Sequence, residues 1–152
     1  MVIILALLIG FIAGLRAMIA PLAIAVKARL GLLDLHGSWL AFFGYRWTPW
    51  VVALAALAEI VNDKLPATPS RKVPPQFAVR VLLGALCGAA VGIPSGQWIV
   101  TLLIGAIGAV LGTLGGAAAR GALARAFGKD MPAALIEDVV TLLLAAVAVH
   151  AL

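Results

Sequence analysis

ALAEIVNDKLP, residues Ala56–Pro66, is the stretch on which the reading of this chain turns. An apolar segment suitable for a membrane helix acquires two carboxylates, Glu59 and Asp63, one helical turn apart, and then Lys64 and a proline. A carboxylate in or at the edge of a hydrocarbon-facing helix is costly to keep there, so such a residue is a functional candidate. Beyond it the chain enters its most basic and proline-rich loop, PATPSRKVPPQ, which cannot continue a helix.

The composition places that stretch in a bilayer. Of 152 residues, 64% are hydrophobic and 11% charged, and the mean hydropathy is +1.18. A soluble domain is about half apolar and about a quarter charged. The fold class expected is therefore all-α: a single polytopic transmembrane bundle of about five helices, with no separate soluble domain. The net charge of +5 does not call for nucleic acid, because the basic residues gather at the ends of apolar segments. There they set topology and meet anionic lipid head groups.

The helices are expected at about 2–26, 49–64, 78–93, 98–127 and 132–151. The first is longer than one crossing needs and carries Arg16 and Pro21, so a kink is expected at Pro21. The segment after it holds Trp39, Phe42, Phe43, Tyr45, Trp47 and Trp50, a density that marks a membrane–water interface and suggests a short interfacial or re-entrant helix near Trp39–Gly44. Gly10 and Gly14, Gly84, Gly88 and Gly92, and Gly108, Gly112 and Gly116 each recur every four residues, which gives smooth faces for close helix packing or subunit contact. With five crossings, the positive-inside rule puts the N-terminus in the cytoplasm with Lys64, Arg71, Lys72, Arg80, Arg125 and Lys129. The C-terminus then lies outside, with Lys27, Arg29 and Arg46 in the first outer loop.

Four residues stand out as substrate- or ion-binding candidates: Arg16, Glu59, Arg120 and Glu137. Asp63, Lys64 and Asp138 act as supporting charges. Glu59 and Asp63, Arg120, and Glu137 with Asp138 fall at a similar depth on three helices, and an unpaired charge there costs about 2.5–3.5 kcal/mol. The pairing expected is Arg120 with Glu59 or Glu137, with Asp63 reduced to ordering the helix end. Arg16 lies ~20 Å along its helix, near mid-membrane, where a kinked helix could expose it to a cavity. No nucleotide loop, metal-ligand spacing or serine–histidine–aspartate set is present, and Cys87 sits in a Gly/Ala-rich apolar run. Neither an enzyme nor a cofactor or metal is expected.

Several motifs resemble those of a bacterial family of small membrane proteins, domain of unknown function 4126. They are GLRAMIAP (Gly14–Pro21), Glu59-x-x-x-Asp63-Lys64-x-Pro66, TPSR (Thr68–Arg71), RVLLGALCGAA (Arg80–Ala90) and LIEDVV (Leu135–Val140). The chain looks like the family's shorter subgroup. The resemblance implies the bacterial inner membrane and no established activity. Together with the charges it leads to an expected small homo-oligomeric transporter or channel for an anionic or proton-coupled solute, in contact with membrane lipids. The competing expectation is an accessory protein that scaffolds partners or binds lipid.

Overall fold

A computed structural model describes residues 1–65 and 72–152. Pro66–Arg71, which hold part of the proline-rich loop and the TPSR motif, lie outside the described residues. Among those described there are six α-helices and no strand: α1 (Val2–Leu15), α2 (Ile19–Arg29), α3 (Thr48–Asn62), α4 (Pro74–Gly92), α5 (Trp98–Phe127) and α6 (Asp130–Ala151). Three are long and apolar enough to cross a membrane: α4 with the turn after it, at mean hydropathy 1.9, α5 at 2.1 and α6 at 2.0. The chain is a membrane protein, and α1 and α3 are shorter apolar helices within it.

α5 is the axis. α1 lies along it in the same direction: a Cβ added at Gly10 would meet the Gly105 carbonyl oxygen at 2.0 Å, and one at Gly14 would meet that of Ala109 at 2.3 Å. α4 lies along α5 in the opposite direction, with Gly84 against Ala109 and Gly105, and Gly88 and Gly92 against Thr101. Gly108 and Gly112 receive the backbone of α1 at Leu7 and Phe11. At these spacings backbones touch, so packing replaces the hydrophobic drive that lipid cannot supply. Gly105, outside the four-residue series read from the sequence, is where α4 closes on α5. Gly128, at φ 67°, ends α5, and α6 returns beside it.

The first apolar segment differs from expectation. It breaks at Arg16–Met18, and Pro21 sits undisturbed in the first turn of α2, where its missing N–H removes no helical hydrogen bond. The start of α2 meets Glu59, late in α3, and its end, at Ala28, meets Gly44, just ahead of α3. α2 therefore runs back along α3, and α1–α2 is a hairpin. The chain therefore enters and leaves this hairpin at one end of the bundle.

That changes the topology. Both termini lie at the end of the bundle that holds Trp98. Trp39 packs edge-on to Trp98 at 5.9 Å between centroids, beside a 3-10 turn at Ala41–Gly44, so the aromatic cluster gathers at this end. Smaller shifts concern helix ends: α4 starts at Pro74, four residues before the expected Ala78, with prolines in its first turn, and α6 starts at Asp130, with Lys129 at its N-cap.

Candidate functional site

A helix broken inside an apolar bundle leaves carbonyls at one end and amides at the other with no water to receive them. One charged pair meets both needs. Arg80, near the start of α4, donates from Nη1 to the carbonyls of Gly14 (3.0 Å) and Leu15 (2.8 Å), the last of α1. Glu59 accepts from the amides of Ala17 (2.8 Å) and Met18 (2.9 Å), which open α2. The two side chains also bond each other, Arg80 Nη2 to Glu59 Oε1 at 3.1 Å. Thr113 of α5 adds its hydroxyl to the Gly14 carbonyl at 3.2 Å. A cation at the end of α1 and an anion at the start of α2 also oppose each helix dipole with the correct sign.

Beside this clasp lies a second set. Arg16, at the hairpin's apex, is 0% exposed. Its Nη1 is 2.8 Å from Asp63 Oδ2 and its Nη2 is 2.5 Å from Asp138 Oδ1, with Glu137 at 3.9 Å. Arg120 of α5 bonds the same Asp63 oxygen, reaches Asp130 at 2.5 Å and Glu137 at 3.5 Å. Lys64 bonds Asp138 Oδ2 at 2.5 Å. Glu59, Asp63, Asp130, Glu137 and Asp138, all but one of the chain's 6 acidic residues, thus gather with Arg16, Lys64, Arg80 and Arg120 toward one end of the bundle. Arg80 is six residues into α4, Asp138 eight into α6 and Arg120 seven from the end of α5. These three lie about 10 Å inside their helix ends at 1.5 Å per residue, whereas Asp63 caps the end of α3 and Asp130 begins α6, its side chain 61% exposed.

Arg16 is neutralised without being locked. Its two Nη atoms lie at ion-pair distance from carboxylates but off hydrogen-bonding geometry. Its Nε has no hydrogen-bond partner among the described residues, and neither has Asp138 Oδ1. Most buried polar atoms in folded proteins are satisfied, so such exceptions call for a physical explanation.

The structure thus brings together all four candidates read from the sequence, and Arg120 reaches Glu137, one of its two expected partners, at 3.5 Å. Glu59 pairs with Arg80 and not with Arg120, because the hairpin apex lies between them. Asp63, expected only to order a helix end, joins Arg16 to Arg120. Arg16 is sealed in this contact: breaking the chain at residue 16 lets its side chain turn back into the bundle. Arg80 escaped notice because it follows a basic loop and reads as a topology signal. Its spacing from Gly84, on one helical face, was the available clue.

Between α3 and α4, above the apex, opens a cavity of about 680 Å³ lined by Met18, Glu59, Asp63, Val79 and Arg80, among others. Among the described residues no group of His, Cys, Asp and Glu is placed to hold a metal ion.

A family profile described as "Domain of unknown function (DUF4126)" matches residues 3–151. No curated protein and no solved structure matches the chain.

Proposed function

The chain belongs to the family of domains of unknown function 4126, and from that premise we propose that it is a proton-coupled carrier of a small solute, working as a homo-oligomer in the bacterial inner membrane. The observation that carries this reading is Arg16: fully buried, faced by carboxylates from α3 and α6, and under-satisfied at Nε. Broken helices meeting near the middle of a membrane recur at transport sites, and a buried charge set with alternative partners is a two-state element of the kind coupling requires. Arg16 and Arg120 are already neutralised by carboxylates, which favours a proton over a free anion as the coupled species. Protonating Glu59, Asp63 or Glu137 would release a guanidinium and, at Glu59, the amides of α2.

The proposed orientation counts the first segment as a hairpin and not as a crossing. Lys64, Lys72, Arg125 and Lys129 lie at the charged end, against Lys27, Arg29 and Arg46 at the aromatic end. The positive-inside rule then puts the charged end in the cytoplasm and both termini outside. No chemical step and no cofactor enter this reading.

A second reading has its own support. The clasp satisfies the broken backbone so fully that the charges could serve only to hold the hairpin, as in a scaffold or lipid-binding protein. A pH jump on proteoliposomes adsorbed to a solid-supported electrode separates the two. The carrier is expected to give a transient charge movement that Glu137→Gln abolishes without altering the elution volume, and a sustained current with at least one solute of a panel of small anions, amines and zwitterions. No charge movement, with no solute current, would establish the static reading.

A further inference from the structure

The α3–α4 cavity has a composition that the carrier reading does not itself require. Its volume, about 680 Å³, falls within the ~300–1,000 Å³ of small-molecule sites. Its walls are apolar and reach the lipid-facing surface: Val61 is 56% exposed, Leu65 53% and Val79 46%. Its floor is the hairpin apex at Ala17 and Met18, and beside the floor stand Glu59, Asp63 and Arg80.

The charge offered to an occupant is decided by which of these groups face inward. The Arg80 side chain is 5% exposed, and its Nη1 is held back by the carbonyls of Gly14 and Leu15. The side chains of Glu59 and Asp63 each keep 16% of their surface. Asp63 takes both of its guanidinium partners on Oδ2, so Oδ1 is the oxygen left to a ligand. The cavity therefore presents carboxylate edges, one helical turn apart, at the end of an apolar slot. Both carboxylates are paired with guanidinium groups, Glu59 with Arg80 and Asp63 with Arg16 and Arg120, so an occupant meets the oxygen edges that face the slot and not an unpaired charge.

We propose that this cavity binds an amphipathic cation, an ammonium- or phosphonium-like head on an apolar body. The head rests against Glu59 and Asp63, and the body lies among Met18, Val61 and Val79. Access is lateral, from the lipid. As the substrate class of the carrier this rests on the reading above; as a binding site it stands on the cavity alone.

Tetraphenylphosphonium and tetraphenylborate have one shape and opposite charge, which makes them the deciding probes. Equilibrium binding to the full chain in phosphatidylcholine nanodiscs is expected to be saturable for the phosphonium and at least tenfold weaker for the borate. Val79→Trp, which fills the slot from a lipid-facing position, is expected to lower phosphonium binding at least tenfold while keeping the wild-type elution volume and helicity. Glu59→Gln is expected to lower it as well, and failure of that variant to fold would leave the Val79→Trp comparison decisive. Unsaturable phosphonium uptake, or uptake unchanged by Val79→Trp, overturns the site. Borate bound as tightly as phosphonium overturns the charge argument and assigns the slot to an apolar or anionic lipid. Phosphonium binding without any pH-jump current would refute the carrier and keep the site. A pH-jump current without phosphonium binding would do the reverse.

Discussion

Replacing Arg16 by methionine is expected to destabilise the protein by about 3–5 kcal/mol, the cost of removing one partner of a buried charge set. Methionine matches much of the volume, so the loss arises from charge: Asp63 keeps Arg120, and Asp138 keeps Lys64, but both lose the guanidinium that joins α3 to α6 through the apex. Arg16→Lys is expected to recover little, because one ammonium cannot span two carboxylates on different helices. Adding Asp138→Asn to Arg16→Met removes a stranded charge and is expected to restore part of the loss. Helicity followed through an SDS titration in mixed micelles reads all three. An Arg16→Met protein as resistant as wild type would show that the apex is held by packing alone.

The second large effect is expected at the clasp, and it is asymmetric. Glu59→Ala leaves two part-buried amides, at Ala17 and Met18, without acceptors, at up to about 1–3 kcal/mol each, and leaves the Arg80 charge without its carboxylate. Arg80→Met leaves Glu59 with both amide donors, and the Gly14 carbonyl keeps the Thr113 hydroxyl. Glu59→Ala is therefore expected to cost more than Arg80→Met. The double variant is expected to cost less than the sum of the two, because the residues act on one broken helix. Equal single costs, or additivity in the same SDS titration, would show that the two residues act separately.

Much of this fold is legible in the sequence because its causes are local. The bounds of α5, Trp98–Phe127, follow from an uninterrupted apolar run closed by Gly128, and the Gly84, Gly88 and Gly92 series marks a face that a backbone does occupy. The gathering of Glu59, Arg120 and Glu137 at one end follows from counting residues along helices. The break at Arg16 is not legible, because its cause is remote: Glu59 and Arg80, 43 and 64 positions away, supply what the broken turn lacks. Pro21 is the stronger local signal for a kink, yet a proline in a first turn disturbs nothing. The pairing of Glu59 with Arg80 is not legible for the same reason, whereas that of Arg120 with Glu137 is. Once the first segment is a hairpin, Arg16 arrives among the carboxylates, and the apex separates Glu59 from Arg120. That single event also moves the N-terminus to the other end of the bundle.

The hairpin is thus the claim on which the site, the orientation and the carrier reading all rest, and its direct test is sidedness. Val2→Cys, His150→Cys and Lys72→Cys, each in a Cys87→Ala background, can be treated with a membrane-impermeant maleimide in sealed right-side-out vesicles. The hairpin predicts that positions 2 and 150 react together from outside, while position 72 reacts only after the vesicles are opened. Reaction of positions 2 and 150 from opposite sides would contradict it, since the first segment would then cross the membrane.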